Sequence, residues 1–210
     1  MRTVEGAALR QGGVERVLSR GGWANPDVSL VRTPDGPVVL KDFSPRSAWV
    51  RSTIGRLSIR RELRAYRALA DHPSVPRLVA LVDPLALAFE HRPGRMLQRS
   101  LASSLPSDFV LELERAVAGM HERGVVHLDL RHRSNVLADS AGRPVIVDFG
   151  SAICFRPRGF GARWLLPLLA RLDHAALEKW RLRLAPQAGS GASEASGTAS
   201  AGSRGARRPM

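Results

Sequence analysis

Asp129, Asn135 and Asp148 are the residues whose types and spacing could do chemistry. The first two stand in His127-Leu128-Asp129-Leu130-Arg131-His132-Arg133-Ser134-Asn135, and Asp148 opens Asp148-Phe149-Gly150 after the apolar run Val145-Ile146-Val147. All three side chains offer hard oxygen atoms. Magnesium takes near-octahedral oxygen ligation and keeps several waters, so holding it against a polyphosphate needs only one or two carboxylates and an amide oxygen from the protein. Asp148 and Asn135 suit that role. Asp129, on the loop before Asn135, is placed to accept or orient the proton of an attacking hydroxyl. The chemistry implied is phosphoryl transfer.

Between Asn135 and Asp148, the segment Val136-Leu137-Ala138, a turn at Asp139-Ser140-Ala141-Gly142, and Pro144-Val145-Ile146-Val147 read as a tight hairpin. Such a hairpin returns Asp148 to the vicinity of Asn135.

These two stretches resemble the protein-kinase superfamily, whose catalytic loop reads H-R-D-L-x-x-x-N and whose metal-binding motif reads D-F-G. The matching residues are His127, Asp129, Leu130, Asn135, Asp148, Phe149 and Gly150. The resemblance implies a two-lobed α+β protein-kinase-like fold, with an antiparallel N-lobe sheet plus helix and a shortened, mainly helical C-lobe. It implies ATP and Mg2+ as cofactors, Asn135 and Asp148 as metal ligands, and Asp129 as the catalytic carboxylate. It further implies a strand lysine that touches the nucleotide phosphates and a helix glutamate that holds it. Val38-Val39-Leu40-Lys41 supplies the lysine and Glu62 the glutamate. Of the 32 basic residues only Lys41 and Lys179 are lysine, so the type at position 41 carries information. A compact ammonium reaches phosphate as a point charge, whereas a planar guanidinium needs a differently shaped site.

The same resemblance places Gly21 and Gly22, within Ser19-Arg20-Gly21-Gly22-Trp23-Ala24-Asn25, at the glycine-rich phosphate lid, although the full G-x-G-x-x-G is missing. It places Phe89 at the back of the adenine pocket and Glu90-His91-Arg92 at the hinge whose backbone meets the base, so that Glu90 and Arg92 join the nucleotide-binding set.

Three departures shape what is expected. Four residues, Arg131 to Ser134, stand where the family pattern has three, which should bulge the loop and shift Asp129 relative to the metals. Leu128 replaces the arginine that pairs with a phosphorylated activation loop in many protein kinases, so that switch is not expected. No A-P-E follows Gly150, and helical patterns at Ala162 to Leu172 and His174 to Leu184 must complete a reduced lobe. This shortening resembles RIO kinases and bacterial lipopolysaccharide-core kinases. Acceptors there range from protein to glycolipid. Protein serine or threonine is the acceptor favoured, with a glycolipid or small molecule, or a nucleotide-binding pseudokinase scaffold, as the alternatives.

The remaining elements fit one catalytic domain over residues 14–186, with an N-lobe over about 14–92 and a C-lobe over about 93–186. Residues 1–13 read as an extension and 187–210, rich in Gly, Ala, Ser and Arg, as a disordered basic tail. Short apolar runs bounded by turn residues predict strands at Val14 to Leu18, Val28 to Arg32, Val38 to Phe43, Val75 to Leu81 and Leu85 to Phe89. Apolar residues at spacings near three and four predict a helix over Arg46 to Arg67 with a break near Gly55, and another over Asp108 to Arg123 capped by Gly124. His127 is expected as a hydrogen-bonding core residue.

A net charge of +13 and a pI near 11.6 imply attraction to anions. Sparse aromatics and the absence of a nucleic-acid-binding motif leave nucleic acid outside the expected main partners. The arginine cluster from Arg46 to Arg67 is a candidate for an anionic membrane surface. The apolar run Trp164 to Leu172 is too short to span a bilayer. The lone Cys154 forms no intrachain disulfide and fits a reducing cytoplasm. The expected location is the cytoplasm, with peripheral contact at the inner face of the membrane.

Overall fold

The computed structural model describes residues 9–10, 13–156 and 159–185. The segment 187–210 and most of 1–13 lie outside the described residues.

Five antiparallel strands build the first half: β1 (Val14–Ser19), β2 (Asp27–Thr33), β3 (Gly36–Asp42), β4 (Leu78–Asp83) and β5 (Ala86–Glu90), in the order β1-β2-β3-β5-β4. Side chains alternate between the faces of a strand. Val38 and Leu40 of β3 therefore share one face, where they pack with Val31, Ala86 and Ala88, and Leu9 joins them. Val39 and Lys41 take the other face, which carries the main core. Arg10 bonds Asp42 and Ser44 and pairs with Asp83, so the end of the expected extension is tied to the sheet. The carboxylate of Asp42 is held below its usual range: part-burial raises it, but the bonds from Arg10 and Ser44 prevail.

The helix after β3 arrives in three pieces: a turn at Ala48–Val50, a π-helical turn at Arg51–Gly55, and α1 (Arg56–Ala68). Thr53 Oγ1 and Ser52 Oγ both donate back to Trp49 O, at 2.7 and 3.0 Å, and Gly55 lies so close to Phe43 that an added Cβ would sit 3.1 Å from the ring. The break expected near Gly55 is thus a wider turn that admits Phe43. In α1, Ile59, Glu62, Ala65 and Tyr66 face inward while the arginines face solvent.

One strand begins later than expected. Val75 N–H bonds His72 O at 3.1 Å in a turn and Pro76 has no N–H, so β4 starts at Leu78 rather than Val75.

The second half begins with β6 (Arg95–Met96), a 3₁₀ turn at Arg99–Ser104, and α2 (Phe109–Glu122), ended by Gly124 at φ 77°. Strands β7 (Val125–Val126), β8 (Val136–Ala138), β9 (Pro144–Ile146) and β10 (Ile153–Cys154) follow. β8 and β9 form the expected hairpin, with β6 alongside, and β10 pairs with β7. The two helices expected near the end are one, α3 (Phe160–Leu184). Asp173, at the presumed gap, is an inward-facing residue of a continuous helix, in line with Ala170, Ala176, Leu177 and Trp180.

Candidate active site

Lys41 and Glu62 are brought together by alternation on one element and helical period on the other. β3 turns Lys41 toward α1, and the three-residue spacing Ile59, Glu62, Ala65 turns Glu62 toward β3. Lys41 Nζ lies 2.8 Å from Glu62 Oε2 and 2.7 Å from Asp148 Oδ1. Glu62 has 0 % of its surface exposed, and neither of its oxygens receives an aligned hydrogen bond; the Lys41 contact is an ion pair off the hydrogen-bond line. Burial pushes the Glu62 carboxyl up, and the Lys41 charge only partly offsets it. Burial would lower the Lys41 ammonium, but the Glu62 and Asp148 carboxylates outweigh it and hold the pKa above the usual lysine range.

Asp148 has its side chain half exposed and its backbone at φ 65°, in the left-handed region. Its Oδ1 also accepts from Gly150 N–H at 3.3 Å. Part-burial would raise this carboxyl, yet Lys41 and the Gly150 amide hold it below the ordinary range. Asp148 is therefore ionised at neutral pH, with one edge toward solvent.

Asp129 and Asn135 form the second group. Asn135 Nδ2 donates to Asp129 O and to Asp129 Oδ2, both at 2.9 Å. Its Oδ1 accepts from Ser134 Oγ at 3.0 Å, and Ser134 Oγ lies 2.6 Å from His132 Nδ1. The extra loop residue is absorbed by two successive turns, His132 N–H to Asp129 O at 3.3 Å and Asn135 N–H to His132 O at 3.1 Å. Asp129 is in contact with Asn135 across this bulged loop. The groups join through the backbone, where Val147 N–H donates to Asn135 O at 3.0 Å, one residue before Asp148.

His127 is fully buried, as expected, and its tautomer follows from its partners. Asp129 N–H donates to Nδ1 at 3.3 Å, so Nε2 carries the proton and donates to Val147 O at 3.0 Å. Burial lowers its pKa, and nearby Asp173, Asp148 and Asp129 only partly oppose this. Its ring lies 4.8 Å from that of Phe149, Phe149 meets Tyr66 edge-on at 5.3 Å, and Tyr66 stacks on Phe89 at 5.3 Å. Phe89 thus ends a column of rings running from the sheet to the Asp129 loop.

The other nucleotide-binding candidates are placed less directly. Gly21 N–H donates to Asp27 Oδ1 at 2.9 Å, while Arg46 Nη1 donates to the carbonyls of Gly21 and Gly22 at 3.0 and 3.2 Å. An added Cβ at Gly21 would lie 2.0 Å from Asn25 O, so this close turn admits only glycine. Glu90 receives Arg77 N–H at 3.0 Å and pairs with Arg77 and Arg92, each at 3.4 Å; Arg92 also bonds Pro73 O. Both side chains brace the end of β5.

Sequence reasoning missed the support beneath the loop. Asp173, with no exposed surface, accepts from His127 N–H at 2.9 Å and Leu128 N–H at 2.8 Å, and lies 3.0 Å from His121 Nε2. Leu128 has φ 68°, a conformation costly for a residue with a Cβ, and the Asp173 bond holds it there. Trp180 Nε1 donates to Leu130 O at 2.8 Å and Lys179 Nζ to Arg131 O at 3.2 Å. The available signal was weak: an acid flanked by apolar positions in an arginine-rich helix.

The donor set fits magnesium. Among the described residues no three His, Cys, Asp or Glu side chains cluster as a self-contained metal site, and magnesium beside a polyphosphate needs none. Asn135 has its amide nitrogen committed to Asp129, which fixes Oδ1 as the atom it offers, and Asp148, next in sequence to the Val147 that bonds Asn135 O, presents an ionised carboxylate.

This is a shortened kinase-like α+β fold. A solved structure with the same architecture is the Rio2 kinase-ADP/Mg2+-phosphoaspartate complex from Chaetomium thermophilum, at TM-score 0.59 and 18 % identity over 84 % of this chain and 58 % of that one. The chain therefore spans somewhat over half of its structural neighbour, and the likeness concerns the fold. No protein-family model matches the sequence.

Proposed function

We propose that the chain is an ATP-dependent phosphotransferase moving the γ-phosphoryl group of Mg-ATP to a hydroxyl acceptor. One observation carries this reading: Lys41 Nζ bridges Glu62 and Asp148 at 2.8 and 2.7 Å, next to the Asp129–Asn135 pair. An ammonium has three N–H donors. Asp148 engages one of them and Glu62 pairs with the charge off the hydrogen-bond line, which leaves N–H donors for a phosphate oxygen. Asn135 Oδ1 and Asp148 would hold the magnesium, and the bound metal supplies neutralisation of the charge on the phosphate oxygens. Asp129 orients the acceptor hydroxyl and takes its proton, while its contact with Asn135 fixes that carboxylate beside the metal ligands. Phe89, Glu90 and Arg92 border the adenine end, and Gly21 and Gly22 the phosphate end. The catalytic unit runs from about residue 14 to 186, with Leu9 and Arg10 packed onto it.

Protein serine or threonine is the acceptor we favour. The Rio2 kinase neighbour, whose structure is described with ADP and Mg2+, supports the nucleotide and metal. A glycolipid acceptor of the lipopolysaccharide-core type, or a small molecule, is the alternative within the same chemistry. A second reading, a nucleotide-binding scaffold without turnover, is favoured by one feature: the Gly21 N–H is engaged by Asp27 and so withheld from phosphate.

A radiolabelled-ATP assay against fractionated lysate separates them. Asp129→Ala should lower transfer by about a hundredfold or more while sparing Mg-ATP binding. Asp148→Ala should weaken the magnesium-dependent part of nucleotide binding. Equal labelling by wild type and Asp129→Ala would leave the scaffold as the better reading.

A further inference from the structure

The solvent face of α3 does not look like the surface of a soluble helix. Phe160, Trp164, Leu165, Leu168 and Leu172 are 79, 60, 50, 54 and 54 % exposed, respectively. At about 100° per residue they fall on one side of the helix, opposite the inward Ala170, Asp173, Ala176, Leu177 and Trp180. Together they present several hundred Å² of contiguous apolar surface, on the order of the largest patches that mark an interaction site.

Along the stretch of sequence that carries this stripe, the charges are all of one sign. From Phe149 to Leu172 there is no acidic residue, and Arg156, Arg158, Arg163 and Arg171 lie in the same stretch. Arg163 and Arg171 are exposed, and the Arg163 guanidinium lies 5.8 Å from the centre of the Trp164 ring, so its stem runs along the apolar surface with the charge at the rim. The positive field continues beyond the helix: α1 packs against β10, which leads into α3, and the charge of Arg64 reaches Cys154 on β10.

We infer that this face of α3 lies on an anionic lipid surface, with Phe160, Trp164, Leu165, Leu168 and Leu172 in the headgroup boundary and the arginines against lipid phosphates. Aromatic and leucine side chains on one face with arginines at the rim is the composition of an in-plane interfacial helix. No helix among the described residues is long and apolar enough to cross a membrane, so the mode is contact with one leaflet. A second copy of the chain is a poorer occupant, because pairing two such faces would oppose arginine rims on molecules of charge +13. The chain's own outlying segments are poorer still. Residues 1–8 and 186–210 hold only Met1, Val4 and Met210 as bulky apolar residues, too few to cover the stripe.

The inner side of α3 bears on the candidate active site. The same helix holds the Asp129 loop through Asp173 and Trp180 on its inner side, so a leaflet under its outer side lies at a fixed orientation to Asp129. The docking itself stands independently of the phosphotransferase reading.

Co-sedimentation with vesicles tests it. The full chain should bind phosphatidylcholine vesicles containing phosphatidylglycerol much more strongly than phosphatidylcholine alone, with tryptophan emission shifting to the blue. Trp164→Ser/Leu168→Ser should weaken that binding by about tenfold or more. Arg163→Glu/Arg171→Glu should remove the preference for the anionic lipid. Both pairs are exposed, so thermal unfolding should be unchanged, and Trp23→Ser/Trp49→Ser, a stacked exposed pair elsewhere, should bind like wild type. Absence of binding to anionic vesicles, or binding indifferent to the α3 substitutions, would overturn the proposal. So would sedimentation equilibrium showing a dimer that the same substitutions dissociate. Mg-ATP binding, measured in parallel without lipid, reports on the cleft alone.

Discussion

Buried polar groups near Asp129 are held in defined protonation states, and this makes the residue scale testable by pH. His127 accepts at Nδ1 and donates at Nε2, so there is no room for a second ring proton without losing the Asp129 N–H bond. Its folded pKa is lowered from the ordinary imidazole value near 6.5. Between the folded and ordinary values the unfolded chain takes up a proton that the folded chain refuses. The contribution of His127 is therefore complete above about pH 6.5 and is lost as pH falls, at up to about 1.4 kcal/mol per pH unit. His72, also buried and lowered, acts with the same sign. Asp148 acts in a separate and more acidic window, because its depressed carboxyl gives stability that disappears only as pH falls below the ordinary carboxylate range. Urea unfolding between pH 7 and 5 should show stability falling with pH in wild type and a shallower slope, by up to about one proton, in His127→Asn. Identical slopes in the two proteins would exclude the proposed neutral state.

At the scale of elements, α3 does two jobs from opposite sides, and the inner one rests on Asp173. Removing that carboxylate leaves the buried amides of His127 and Leu128 without acceptors, and Leu128 loses the bond that holds its positive φ. An unsatisfied buried donor costs about 1–3 kcal/mol, so Asp173→Ala should lower stability by about 2–5 kcal/mol. It should also speed hydrogen exchange at those two amides beyond the change in global stability. If both amides exchange no faster than the rest of the core, Asp173 is a packing residue only. This anchor was illegible in the sequence for a physical reason: what it binds is backbone, and backbone donors leave no mark on residue identity. The acid at position 173 instead read as a gap between two helices. The loop itself was legible because the metal ligation and proton transfer proposed for it would demand particular side chains at Asp129, Asn135 and Asp148. The five-stranded sheet was legible because its strands are short apolar runs bounded by turn residues, and β4 was placed too early only because Val75 is β-prone while its N–H serves a turn. Register and strand order could not be read, since they depend on how β5 inserts between β3 and β4.

For the whole molecule, the two halves meet at a charge pair whose members come from opposite sides: Lys41 from the sheet, Asp148 from the loop after the β8–β9 hairpin. Lys41 and Asp148 are already paired at 2.7 Å, so a nucleotide with magnesium enters an electrostatic frame that is preassembled. A ligand bridging both halves stabilises the folded chain by RT ln(1 + [L]/Kd), about 2.7 kcal/mol at a hundredfold excess over Kd. For a domain of this size that corresponds to a rise in melting temperature of roughly 5–10 °C. Wild type should show this rise with Mg-ATP and a much smaller one with ATP and a chelator, because in the proposed function Asn135 and Asp148 would engage the phosphates only through the metal. Asp148→Ala should reduce both to a similar small value, whereas Asp129→Ala should keep the full difference, since the role proposed for Asp129 is at the acceptor hydroxyl rather than the nucleotide. A rise equal with and without magnesium in wild type would mean that Asn135 and Asp148 hold no metal, and that the bridge between the halves is the Lys41 pair alone.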